Sequence, residues 1–274
     1  MTSFWHAGGN CDPHALAQRL VPTAENDVVT IDLSGSTWTS PHVLSLVPVL
    51  VENANKPLRF IPPEGSCKSY AARMHLGDVL TKLGIPNDLT RGNENDRADS
   101  LVALTSFSGT DFAGAENLCR LMSSRCDLAG VPAEVSDAIS GHVYELCNNA
   151  IAHARCEQAW VCAQTYQHPG RTRLELTVAD AGRGIRASLD GTEFAASDDV
   201  EAIRTAVERR STSVGRPNHY GVGLTEVVRY ATRMGGSATV RTGSASVQFT
   251  SSGAVLPATT AELQGTTVGC SIWF

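Results

Sequence analysis

The stretch Ile139–Ala154 reads ISGHVYELCNNAIAHA. Together with Val135 just before it, the residues Ile139, Val143, Leu146 and Ala150 follow the three-and-four spacing of one buried helical stripe. Glu145 and Asn149 stand four apart, so their side chains lie one above the other along the edge of that stripe. A carboxylate and an amide stacked there suit an activated water and a hard cation, because Mg2+ takes oxygen ligands and keeps several waters. Read alone, the stretch is equally an amphipathic helix whose polar face happens to hold Asn148 and Asn149, asparagine being a poor but permitted helix former. A second signal has to decide.

The rest of the chain bounds the answer. Its 274 residues are 42% hydrophobic and 18% charged, the composition of an ordinary globular protein with one large or two modest domains. A net charge of −6 without a long Lys/Arg run argues against nucleic acid or an anionic membrane as the main partner. Lysine occurs only at 56, 68 and 82 and no Gly-Lys dipeptide exists, which excludes the P-loop. Phosphate would have to be met by arginine, backbone N–H groups or a metal ion. The eight cysteines form no C-x-x-C pair and are read as free thiols of a reduced cytoplasm. The start, MTSFWHAGGNCDPH, lacks the regions of a signal peptide, and the apolar run VLSLVPVLV is far shorter than the ~20 residues of a membrane span. The expected location is cytoplasmic.

Along the first hundred residues strand and helix alternate. DVVTIDLSG reads as a strand, and SPHVLSLVPVLVENAN as a helix with Ser40 at the N-cap and Pro41 first inside. Pro48 predicts a kink or a late start in that helix. PLRFIPP is a short strand, and SCKSYAARMHLGDVLTKLGI a single helix on the spacing of Tyr70, Met74, Val79 and Leu83. The polar stretch 86–100 is the linker candidate. Then come LVALTSF as a strand, residues 111–126 and 132–154 as helices, QAWVCAQTY and RLELTVAD as strands, and SATVRT, ASVQFTS and TTVGCSIWF as the last strands. The order implies an α/β sandwich with a mixed sheet, covering 96–274, preceded by a smaller α/β domain over 1–95.

The deciding signal lies past the quoted helix. VADAGRGI puts Asp180 at a strand end and glycines at 182 and 184, where backbone approaches a ligand closely. In HYGVGLTEVVRY, Gly221, Gly223 and Leu224 lead into a helix, whose N-terminus is a natural phosphate seat. LQGTTVG opens a last strand with Gly265 and Thr266. The order E-x-x-x-N-A, D-x-G-x-G-I, G-x-G-L, G-T resembles the ATP-binding domain shared by DNA gyrase B subunits, the related heat-shock chaperone, sensor histidine kinases and MutL, the GHKL or Bergerat fold. The resemblance covers roughly residue 100 onward. It implies ATP and Mg2+ as cofactors, with Asn149 holding Mg2+ against the phosphates and Glu145 as the water-activating base. It further implies Asp180 on the adenine amino group with Thr266 beside it, Gly182 and Gly184 shaping the adenine pocket, and Gly221, Gly223 and Leu224 at the end of a lid. Residues 186–220 would be that mobile lid, with Arg204, Arg209, Arg210 and Arg216 as phosphate candidates.

Among relatives, YELCNNAIAHA is most similar to the helices of anti-sigma kinases, His153 included as a structural residue. The clamp-forming relatives need further domains, and a sensor kinase needs a phosphoacceptor helix pair that residues 1–110 do not offer. VVTIDLSGSTWTSPHVLSLVPVL resembles STAS domains over roughly residues 25–90, but the family's phosphorylation site falls on Ser40 and Pro41, so this part looks like a docking module. Three functions follow as expectations: a regulatory ATP-binding protein coupled to a protein partner, an active ATPase or serine/threonine kinase, and a nucleotide-free interaction module. A homodimer is expected by analogy alone.

Overall fold

A computed structural model describes residues 28–54, 56–90, 100–208, 223–255 and 262–274. The N-terminal elements are β1 (Val29–Asp32), α1 (Pro41–Asn53), β2 (Leu58–Ile61), α2 (Gly65–Arg73) and α3 (Leu76–Lys82). Then follow β3 (Ser100–Ser108), α4 (Phe112–Leu128), α5 (Ala133–Asn149), a π-helical turn (Ala150–Ala154), β4 (Gln158–His168) and β5 (Arg171–Asp180). The remainder is α6 (Gly184–Leu189), α7 (Asp199–Glu208), α8 (Gly223–Arg233), β6 (Ser237–Gly243), β7 (Ala245–Thr250), β8 (Gly253–Val255) and β9 (Leu263–Trp273).

Among the described residues seven strands form one sheet in the order β3-β4-β5-β9-β6-β7-β8, antiparallel at every pairing. Parallel pairing is found between β1 and β2, which make a separate two-stranded sheet around the crossover helix α1. The α/β sandwich is therefore as expected, with the two pairing senses kept in separate sheets.

Strand β4 explains the layering. Ala159 through Thr165 are all buried, which an antiparallel strand shows only when both its faces are covered. Ala159, Val161 and Ala163 point into a core with α4, α5, α7 and α8, while Trp160 and Cys162 point into a second core built by α1, α2 and α3. Leu104, Ala179 and Leu263 face that second core as well. Helix α1 lies across β4, β5 and β9, and a Cβ at Gly269 would sit against the His42 ring, so this glycine gives α1 its seat. The N-terminal elements are thus a third layer on the sheet.

Local chemistry sets the helix ends. Ser40 caps α1, its hydroxyl accepting from the Val43 N–H at 3.4 Å, and the Asp111 carboxylate caps α4 through the Ala113 N–H at 2.8 Å. Helix α1 neither starts late nor breaks at Pro48. The expected single helix after β2 is two, α2 and α3, separated at His75, whose left-handed φ of 65° cannot continue a helix. The linker candidate 86–100 is described only at its two ends, with Ser100 opening β3. Leu89 is buried and Asn87 donates to the Gly77 carbonyl at 3.2 Å, so these two residues pack on α3, and 91–99 lie outside the described residues.

Candidate functional site

At one end of the sheet the chain builds a tight corner from β5, β9 and β6. Asp180, the last residue of β5, is 5% exposed and stands in register with Thr266. Its Oδ1 accepts from the Gly182 N–H at 2.9 Å. Burial pushes the Asp180 carboxyl up to about 7, against the opposing pull of the Gly182 and Thr266 backbone groups. Gly265 has φ +105, and a Cβ there would collide with the Asp180 carbonyl oxygen, so strand β9 approaches β5 here closer than a side chain permits. The same logic holds at Gly182, where a Cβ would collide with the carbonyl oxygen of Ala154 and lie 2.6 Å from its Cβ.

That contact joins the corner to the helix of Glu145 and Asn149. Asn149 is the last α-helical residue of α5, and the helix widens at once into the π-helical turn, a feature found mostly as single turns and frequently at functional sites. The turn ends at Arg155 with φ 57°, and its final carbonyls are taken by one residue of the glycine loop. Arg183 donates its backbone N–H to Ala154 O at 2.9 Å and its Nε–H to His153 O at 2.8 Å. Glu145 and Asn149 are half-buried. Gly223, the first residue of α8, lies against Glu145, 3.2 Å separating its would-be Cβ from the carboxylate carbon. Leu224 packs on the core beside it. Asn148, read as structural, is buried with its Oδ1 lacking a hydrogen-bond partner among the described residues.

Of the nine expected site residues, eight lie within the described residues and are joined by a run of contacts, from Gly223 against Glu145, with Leu224 beside it, along α5 to Asn149 and the π-turn, and on to Gly182, Gly184, Asp180 and Thr266. Gly221 lies outside the described residues, as do Arg209, Arg210 and Arg216. The expected lid needs correction over residues 199–208. Helix α7 buries Ala202, Ile203 and Val207 on the sheet, and Asp199 accepts from the Ser244 N–H and hydroxyl, both at 2.8 Å. The signal was Val200, Ile203 and Val207 at three-and-four spacing, hidden among charges. Arg204 is on its exposed side.

Other residues enter the site that the motifs did not name. Thr242, 1% exposed at the end of β6, accepts from the Ile185 N–H at 3.0 Å and donates to the Gly265 carbonyl at 2.8 Å. From the third layer, Asn53 donates to the Gln264 carbonyl at 3.0 Å, and the indole of the buried Trp160 donates to Glu52 at 3.4 Å. Burial raises the Glu52 carboxyl, and Glu52 in turn disfavours charge on Asp180. Cys156 is near the corner too, and burial beside Asp180 pushes its thiol up to about 12, which makes it a poor nucleophile. None of these has a sequence signature, since each acts through a contact far apart in the chain.

Among the described residues no group of three or more His, Cys, Asp or Glu side chains could hold a metal ion, and no helix is long and apolar enough to cross a membrane. A divalent cation at Asn149 would accordingly need phosphate and water as its other ligands, which is how Mg2+ usually binds. The family model described as histidine kinase-, DNA gyrase B-, and HSP90-like ATPase matches residues 134–273, a span running from the start of α5 to the end of β9. Comparison with curated proteins and with solved structures returns no match. The matched span covers just over half of the chain and contains every expected box, so the chain belongs to the histidine kinase-, DNA gyrase B- and HSP90-like ATPase family.

Proposed function

We propose that the protein binds ATP with Mg2+ at the Asp180–Asn149 surface and couples its nucleotide state to a protein partner, in the manner of anti-sigma kinases. The observation that carries the reading is Asp180: a buried carboxylate at a strand end, one oxygen held by Gly182, opposite Thr266. Such a group is costly to bury and is suited to an adenine amino group, which donates where the carboxylate accepts. Asn149 would hold Mg2+, which when bound would neutralise phosphate charge, and the first turn of α8 from Gly223 and Leu224 would lie at the phosphates. Gly182 and Gly184 would shape the wall of the adenine pocket, and Gly221 with Gly223 would contact the phosphates. Saturable Mg-ATP binding should be lost in Asn149→Ala and in Asp180→Ala. Unchanged affinity in both variants removes the assignment.

In this reading residues 96–274 bind nucleotide and residues 1–95 form a STAS-like docking layer. The β1-α1-β2 parallel unit fits that comparison, and Ser40 is buried with its hydroxyl engaged as the cap of α1, as befits docking better than phosphate acceptance. The setting is cytoplasmic, and the partner could include a second copy of the chain.

A second reading is an ATPase or serine/threonine kinase with Glu145 as base. The contact of Glu145 with Gly223 favours it, because the carboxylate then lies where α8 begins. Phosphate release or partner labelling should vanish in Glu145→Ala while ATP binding persists. Turnover that survives the substitution eliminates Glu145 as the base.

A further inference from the structure

The pairing of β6 with β9 skips a step at the nucleotide corner. Thr242 stands opposite Thr266, but the next residue, Gly243, stands opposite Leu263, so Gln264 and Gly265 bulge out of that ladder. A bulge leaves backbone groups without ladder partners and re-aims the neighbouring side chains. Here the two carbonyls are captured by side chains from different parts of the chain. Gln264 O accepts from Asn53 Nδ2 at 3.0 Å, and Gly265 O accepts from Thr242 Oγ at 2.8 Å.

Each captor is fixed at its other end. The Asn53 amide also donates to Val49 O at 2.8 Å within α1, and the Thr242 hydroxyl also accepts from the Ile185 N–H at 3.0 Å at the start of α6. Thr242 thus ties the glycine loop after Asp180 to the bulge before Thr266 through one oxygen. Asn53 ties that bulge to the third layer. Neither side chain belongs to the family boxes.

We propose that Asn53 and Thr242 are positioning residues for base recognition: they hold the Gln264–Gly265 bulge so that Thr266 stays opposite Asp180, and they make the adenine corner a joint product of both halves of the chain. The inference rests on the proposed ATP site but predicts a property of the corner without ligand. A hydroxyl is required at 242, not a methyl, because the Ile185 N–H and the Gly265 carbonyl are both left unmet by valine.

The test compares wild type, Thr242→Val, Thr242→Ser and Asn53→Ala by two measurements. The first is the ratio of ATP to GTP affinity. The second is backbone hydrogen exchange over 178–186 and 262–268 in the free protein. Thr242→Val should weaken ATP binding about ten-fold and lower the ATP:GTP ratio, Thr242→Ser should stay within about two-fold, and Asn53→Ala should fall between them. Exchange in both segments should rise in Thr242→Val and in Asn53→Ala, and stay at the wild-type level in Thr242→Ser. An unchanged ratio in variants that bind ATP overturns the positioning role. If wild type binds no nucleotide, the proposed function fails, and exchange alone decides this inference: unchanged protection in Thr242→Val and Asn53→Ala overturns it, and protection lost in those two but kept in Thr242→Ser supports it.

Discussion

Asp180 carries the sharpest residue-scale consequence. Its carboxyl is raised by burial from 3.8 to about 7. Below pH ~4 the folded and unfolded chains both hold the proton; between ~4 and ~7 the unfolded chain loses it and the folded chain keeps it. The native state binds more protons across that window, so this group's contribution to stability falls as pH rises and levels off above about 7. Asp180→Asn removes the ionisation. Urea unfolding should show the asparagine variant gaining on wild type from pH 4 to pH 7, by up to a few kcal/mol, while losing ATP binding. A difference independent of pH would mean that Asp180 titrates normally. The place of Asp180, at a strand end before the glycine loop, was open to reading from sequence because a strand followed by D-x-G-x-G is a local pattern. Thr242 was not: threonine at the end of a strand is unremarkable until Ile185 and Gly265 are brought to it.

At the scale of elements, the site depends on the union of the π-helical turn with the glycine loop. Arg183 takes the carbonyls of His153 and Ala154, and Gly182 leaves no room for a Cβ against Ala154. Gly182→Ala should therefore force the loop away from the turn and cost about 1–3 kcal/mol, read as a lower urea midpoint with unchanged slope. A variant as stable as wild type would show that the contact yields easily. The helices of this unit were legible from the three-and-four spacing of 135, 139, 143, 146 and 150. The change of helix type after Asn149 was not, because AIAHA carries no residue that demands it. The division of α2 from α3 escaped for a related reason: the apolar period runs on through Met74 and Val79, and the break is a left-handed His75 that only the packed structure enforces.

For the molecule as a whole, the second core is the decisive feature. Leu104, Trp160, Cys162, Ala179 and Leu263 project from the sheet into a layer made by Val43, Leu46, Val47 and Leu80. A chain beginning at residue 96 bares that face and should bind hydrophobic dyes and lose cooperative melting, whereas the full chain should unfold in a single transition. Independent, cooperative folding of residues 96–274 would refute the shared core. QAWVCAQTY was legible as a strand, but that both its faces are covered, and by what, was not, since pairing a helix with a sheet face needs contacts more than a hundred residues apart. The ATPase-family half was readable because its boxes are local, and the third layer because it had strand and helix periods, but not its place. The most direct test of the central claim is the hydrogen-exchange footprint of saturating Mg-ATP on the wild-type protein. Protection is expected at 145–154, 178–186 and 262–267, with none over the distant β4–β5 hairpin at 166–172. No saturable binding, or protection that leaves 178–186 and 262–267 unchanged, would contradict a nucleotide site built on Asp180 and Asn149.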